Sequence, residues 1–193
     1  MPSKFSLEGF IVEISSGRCL KKPNSITVEA FYPGGLKDLV EVLALKFPPA
    51  KATYSKEWSC LTIKMLDRLV GMYASGKITL CADDMEDAKG VLKTLKELIK
   101  EAKEDLKIGG PPSVKDIEVW SKLTPLELYK YLPKTNCRKC DESTCIAFAA
   151  KVLSGERKLR DCLPLRHSEE LVGKLEEFLG KRILNALGWL KDN

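Results

Sequence analysis

The sequence predicts an α+β protein: an N-terminal curved antiparallel sheet with helices on one face, followed by a small all-α domain. Three observations predict it. Strand-like and helix-like runs alternate up to about residue 107, the stretch 107-KIGGPPS-113 interrupts both periodicities, and the remainder carries helical spacing. Paired Gly and paired Pro continue neither a helix nor a central strand. The expected organisation is therefore a sheet domain over residues 1–107, a linker over 108–113 and a helical domain over 114–193.

The stretches 5-FSLEGFIVEI-14 and 26-ITVEAF-31 are rich in β-branched and aromatic residues and predict strands. In 35-GLKDLVEVLALKF-47, Leu36, Leu39, Val40, Val42, Leu43 and Leu45 fit an amphipathic helix. Strands follow around 51–56, 60–66, 69–75 and 77–82, the last two joined through Ala74-Ser75-Gly76-Lys77. The segment 83-DDMEDAKGVLKTLKELIKEAKED-105 opens with acids that cap a first turn and suit the helix dipole. Its Met85, Ala88, Val91, Leu92, Leu95, Leu98 and Ile99 form one stripe, which predicts a helix lying on the sheet. Beyond the linker, helices are predicted over 114–123, 124–132, 144–155 and 168–190, with Thr124-Pro125 as an entrance and Gly155 as a stop.

Composition narrows the function classes. Of 193 residues, 44% are hydrophobic and 31% charged, as in an ordinary globular protein. No signal-like N-terminus and no long apolar run is present, so a cytoplasmic location without membrane contact is expected, with thiols kept reduced. Lys plus Arg against Asp plus Glu gives 17 − 15 = +2 over residues 1–107 and 15 − 12 = +3 over 108–193. Neither half is the basic body of a dedicated nucleic-acid binder. There is no phosphate loop or dinucleotide fingerprint. The single histidine, His167, has no readable nucleophile or carboxylate constellation around it, so a non-enzyme is expected.

Chemistry concentrates in 134-KTNCRKCDESTCIAFAAK-151. With Cys162 it produces the spacing C-x2-C-x4-C-x16-C at Cys137, Cys140, Cys145 and Cys162. Three close thiolates wrap one side of a small cluster and a later return supplies the fourth, one for each corner of a cubane. Cys145 falls in the first turn of an apolar helix, where amides and dipole favour thiolate, and Ile146, Phe148, Ala149 and Val152 can shield it. Spacing alone leaves an iron–sulfur cluster, a zinc site and unligated buried thiols all open. Cys19, Cys60 and Cys81, spread over predicted strands, are expected to be buried structural thiols.

Two resemblances add to these inferences. The run 69-LVGMYASGKITLCADDMEDAKGVLKTL-95 resembles one repeat of the TATA-binding-protein fold, which implies that architecture for the first domain. The block 123-LTPLELYKYLPKTNCRKCDESTCIAFAAKVLSGERKLRDCLPL-165 resembles the iron–sulfur module of the large subunit of corrinoid/iron–sulfur proteins, from archaeal acetyl-CoA decarbonylase/synthase and its bacterial relatives. A variant occurs in the B subunit of the Rnf electron-transport complex. The shared pattern is Leu132-Pro133-Lys134-Thr135-Asn136 before Cys137, then Ser143-Thr144-Cys145 and Ala147-Phe148-Ala149. The resemblance implies one [4Fe-4S] cluster bound to Cys137, Cys140, Cys145 and Cys162, and a setting in anaerobic metabolism. Two departures stand out: Arg138 and Asp141 occupy positions where the family often has Gly, and Leu163 separates Cys162 from Pro164. The barrel and cobalamin domain that follow in that subunit have no counterpart in the 28 or so residues left here, so no corrinoid is expected on this chain.

From Lys130 to Arg160 there are eight basic and three acidic side chains. That charge balances a thiolate-ligated cube, roughly −2 when oxidised and −3 when reduced, and can steer an acidic redox partner. The expected function is electron transfer or partner docking for a low-potential, corrinoid-dependent enzyme system. The alternative is an iron–sulfur regulator that binds nucleic acid through the sheet, with Trp58 and Tyr73 as wedge aromatics beside Thr62, Lys64 and Thr79, and with Glu29 opposing it. A homodimer is compatible with a single saddle-like repeat.

Overall fold

A computed structural model describes residues 4–15 and 25–189. It divides into two compact units, one of residues 1–44 and 53–111, the other of residues 45–52 and 112–193. Among the described residues no helix is long and apolar enough to cross a membrane.

The first unit is built on an antiparallel sheet of seven strands: β1 (Lys4–Leu7), β2 (Phe10–Ser15), β3 (Ile26–Phe31), β4 (Ala52–Ser55), β5 (Cys60–Met65), β6 (Arg68–Tyr73) and β7 (Lys77–Ala82). Their order across the sheet is β1-β2-β3-β7-β6-β5-β4. One face is covered by α1 (Val40–Ala44), which packs on β5, and α2 (Met85–Gly109), which packs on β7 and α1. Strand alternation supplies that face with Val12, Val28, Ala30, Leu61, Ile63, Val70, Met72, Ile78 and Leu80, each 3% exposed or less. The stripe expected on α2 is present: Ala88, Val91, Leu92, Leu95, Ile99 and Ala102 are buried. Each of its large aliphatic members contributes about 1.5–3 kcal/mol by leaving water. Asp84 caps the helix by accepting the N–H of Asp87. At the other end Gly110, in the left-handed region at φ 66°, returns its N–H to the Leu106 carbonyl.

Three expectations are corrected. The single strand 5–14 is a hairpin, because Glu8 (φ 53°) and Gly9 (φ 89°) form a two-residue turn of the kind that matches strand twist. The helix expected over 35–47 is only Val40–Ala44, preceded by turns in which Leu39 and Val40 donate to the Leu36 carbonyl. Pro48 biases Phe47 out of helical geometry and helps end it. Cys81 is disulfide-bonded and so is no structural thiol, whereas Cys60 is a free, half-buried one. Cys19 lies outside the described residues.

The second unit contains α3 (Val114–Lys122), α4 (Pro125–Tyr129), α5 (Cys145–Leu153), α6 (Leu163–Arg166) and α7 (Glu169–Ala186). A capping box between Ser113 and Asp116 starts α3, and Thr124 with Pro125 starts α4. The helix expected over 168–190 is broken within α7 at Gly180, whose φ of 70° and ψ of 164° are not helical. Helix α4 packs on α5, and α7 packs on both α3 and α6, around Trp120, Leu128, Phe148, Val152, Leu159, Leu165 and Ile183. Residues 45–52 join this unit through long-range bonds. The Trp120 indole N–H donates to the Phe47 carbonyl at 2.9 Å, and the Lys51 ammonium donates to the Gly155 carbonyl at 3.2 Å.

Candidate metal centre

Between α4 and α5 the backbone coils unusually tightly. Lys134, Asn136, Arg138 and Asp141 all have φ between 47° and 61°, the left-handed region that non-glycine residues rarely occupy. Arg138 and Asp141 directly follow Cys137 and Cys140 and stand at the two positions noted above for lacking glycine. The loop makes the turns a glycine would make and carries the strain, of order 1–2 kcal/mol for an ordinary residue. Asn and Asp bear it more easily, because their short side chains bond locally.

That coiling returns the loop to the start of α5. The Asn136 side-chain oxygen accepts the Cys145 N–H at 2.8 Å, and the Thr144 hydroxyl accepts the Ala147 N–H at 3.2 Å. Two of the amides that a helix start leaves without partners are thereby satisfied. Cys145 and Phe148 then face inward, 7% and 1% exposed. The fourth cysteine arrives from a different direction. A 3-10 turn over Leu159–Asp161 delivers Cys162, which precedes α6 with Pro164 in its first turn. Backbone bonds from Leu159 N–H to the Leu187 carbonyl (2.7 Å) and from Arg160 N–H to the Gly188 carbonyl (3.4 Å) hold this segment against the end of α7.

The result brings Cys137, Cys140, Cys145 and Cys162 to the wall of one depression, with Thr135, Asn136, Arg138, Glu142, Thr144, Phe148 and Pro164. It encloses about 300 Å³ of atom-free space, its open mouth included. Exposure is graded. Cys137 is exposed, Cys140 half-buried, and Cys145 and Cys162 are buried. Burial, reinforced by the like charges of the other three cysteines, pushes Cys162 up to about 11. Burial also raises Cys140. Cys137, bonded by the Lys139 backbone N–H and the Thr135 side chain, is lowered. Four facing thiolates repel one another, so their joint deprotonation calls for a cationic centre among them.

Glu142 is a residue the sequence did not single out. Its side chain is 7% exposed, and it is the buried charge among the described residues. Lys151 approaches its carboxylate at 2.9 Å and the Arg157 Nε at 3.0 Å. These partners stay 43% and 32% exposed, so the carboxylate is roofed over at the surface and not sunk in a core. Hydrogen bonds from Lys151, then from Arg157, hold it below the usual carboxylate range, and Arg157 is raised in return. The only signal was an acid between two cysteines in a basic stretch. His167, following α6, is exposed and does not line this depression.

The sheet residues of the nucleic-acid alternative are placed differently. Tyr73, Thr62, Lys64, Thr79 and Glu29 alternate with the buried positions and so share the helix-free face. Trp58 does not lie on a strand. It stands on the turn between β4 and β5, 72% exposed.

Comparison with known proteins bears on the same cysteines. Residues 132–164 match the family described as "Putative Fe-S cluster". The matched segment contains all four of these cysteines. The gamma subunit of the acetyl-CoA decarbonylase/synthase complex of Methanosarcina acetivorans is 50% identical over 54 residues, 28% of this chain and 12% of that subunit. The gamma subunit from Methanothermobacter thermautotrophicus is 43% identical over 61 residues, 32% of this chain and 13% of the subunit. That from Archaeoglobus fulgidus is 45% identical over 60 residues, 29% and 13% of the two chains. The chain thus spans about an eighth of the length of these relatives. No solved structure matches it.

Proposed function

We propose that Cys137, Cys140, Cys145 and Cys162 hold one [4Fe-4S] cluster, and that the chain is an accessory electron carrier or docking module for a low-potential partner enzyme. The observation that carries this is the meeting of four thiols, from two separate chain segments, on one depression otherwise lined without metal-ligating nitrogen. A cluster bound there supplies one-electron chemistry at low potential. The protein's part is to exclude water with Phe148 and the α5 start, and to hold Cys137 and Cys140 toward solvent, where an electron can pass.

Four thiolates suit zinc as well as a cluster; what favours the cluster is that the matched segment, residues 132–164, holds all four cysteines and is described as an iron–sulfur one.

The first unit, on this reading, is a single TATA-binding-protein-like repeat that recognises the partner enzyme. Its support is the antiparallel sheet with α1 and α2 on one face and the other face open. That open face does not resemble a seat for a phosphate backbone. Lys4 pairs with Glu13 at 3.7 Å and Lys77 with Glu29 at 3.0 Å, so these cations are neutralised in place.

Anaerobic purification or reconstitution is expected to yield about four irons and four sulfides per chain, with a reversible paramagnetic signal on one-electron reduction. Changing each of the four cysteines to Ser should lower iron content and abolish the native signal. Stoichiometric zinc, or an unchanged chromophore in all four variants, would overturn the proposal.

A further inference from the structure

Cys140 belongs to two depressions at once. On one side is the cysteine-lined site. On the other is a broad basin of about 740 Å³ on the same measure, lined by Lys139, Asp141, Arg157, Arg160, Asp161, Leu163 and Arg166 together with Cys140. Whatever sits in that basin touches the half-buried cysteine from outside, one side chain from the cluster site.

The chemistry of the basin is specific. Four cations and two carboxylates line it, 4 − 2 = +2. Arg157 is committed inward to Glu142 and stands 3.8 Å from Asp141. Asp161 is turned to the Lys158 N–H at 2.9 Å. Lys139 and Arg166 are exposed, and Leu163 beside them presents an apolar surface, 40% exposed. Arg138, at the neighbouring wall beside Cys137, is also exposed and holds φ 61° although glycine would adopt that turn without strain. Strain kept at an exposed residue of a site points to a use for its side chain.

We propose that this basic rim is the docking surface for an acidic electron-carrier protein, which places its redox centre over the Cys137–Cys140 edge. The inference rests on the cluster reading above and names the partner's chemistry. One electron passes across the contact, from the carrier when it is the more reduced; no bond forms or breaks and no proton moves. A protein fits better than a nucleic acid. Carboxylates in the basin repel a continuous phosphate backbone, whereas an apolar residue amid mixed charge suits a protein interface.

The test uses the full chain with its cluster reconstituted and an acidic two-cluster bacterial ferredoxin as the probe. Association with the oxidised probe, which needs no electron transfer, should weaken about tenfold or more between roughly 50 and 300 mM salt. The pair Arg160→Glu with Arg166→Glu should weaken it about tenfold at low salt and slow electron transfer in parallel, with iron, sulfide and the paramagnetic signal unchanged. The pair Lys115→Glu with Lys181→Glu makes the same change in net charge away from both depressions and should have an effect of about twofold or less. Equal loss in both pairs, salt-independent association, or tighter binding of duplex DNA than of ferredoxin would overturn the docking surface. The two readings fail separately. Missing iron and sulfide removes the cluster and the docking surface with it, whereas full iron with an indifferent rim removes the docking surface alone.

Discussion

The Asn136 side-chain oxygen accepts the Cys145 backbone N–H at 2.8 Å, joining the residue before the first cysteine to the first residue of α5. One bond therefore sets the spacing between the loop thiols and the helix thiol. Asn is suited to the position twice over, by its acceptor and by its tolerance of a φ of 47°. Asn136→Ala is expected to destabilise the chain by about 1–2 kcal/mol, through an orphaned N–H and added backbone strain. Denaturant unfolding of the reduced apoprotein measures it. Iron release from the loaded protein should quicken as well.

Glu142→Gln leaves Lys151 and Arg157 without their shared anion and should lower the melting temperature and hasten iron loss. The pH dependence has a definite sign. The Glu142 carboxyl is held below its ordinary value in the folded chain, mainly by the Lys151 hydrogen bond and next by that of Arg157. Its contribution is present above the unfolded value of about 4.3 and disappears as pH falls through the lowered folded value. The melting difference between native and variant apoprotein should thus be full at neutral pH and shrink in acid. A difference that grows in acid would contradict the ion-pair assignment.

Arg138→Gly removes a side chain from a left-handed position. Relief of about 1–2 kcal/mol of strain is partly offset by glycine's freedom in the unfolded chain, about 0.5–1 kcal/mol. A net gain of up to about 1 kcal/mol in apoprotein stability is expected. Gly155→Ala is the converse. Gly155 has φ 68°, and an added Cβ would meet the Lys51 Nζ at 2.8 Å and the Pro48 Cγ at 3.2 Å. Chemical denaturation should show a loss of about 1 kcal/mol or more, because strain and crowding add.

Trp120→Phe keeps most of a side chain that is 2% exposed but deletes the N–H that satisfies the Phe47 carbonyl. A loss of about 1–3 kcal/mol is expected from the carbonyl left without its partner. Trp120→Ala should cost about 3–5 kcal/mol by adding a cavity. If the two variants were equally destabilised, packing alone would account for this residue.

The closeness of Cys137, Cys140 and Cys145 was legible because its information is local, whereas the return of Cys162 to them is long-range. Three thiols within nine residues and a helix start at Cys145 need only chain connectivity to come together, and α5, with its Thr144 cap, lies where the apolar run placed it. The amphipathic α2 and the Gly76 turn were legible for the same reason: period and turn chemistry are written in adjacent residues. Other features depended on partners far along the chain. Nothing near Phe47 or Lys51 announces that residues 45–52 bond to Trp120 and Gly155, 73 and 104 positions away. Glu142 reads as one acid among many bases until Arg157 folds back over it. Neither side chain of Arg138 and Asp141 compels their left-handed backbone, and only the glycine that similar sequences often carry at these positions hinted at it. The sequence by itself determined which atoms are available as ligands and where the periodic elements run, because spacing and amphipathicity act within a few residues. The tertiary structure alone decided which cysteines face solvent, which charge is roofed over and which cations border Cys140, because burial and ion pairing are properties of segments that meet only after folding.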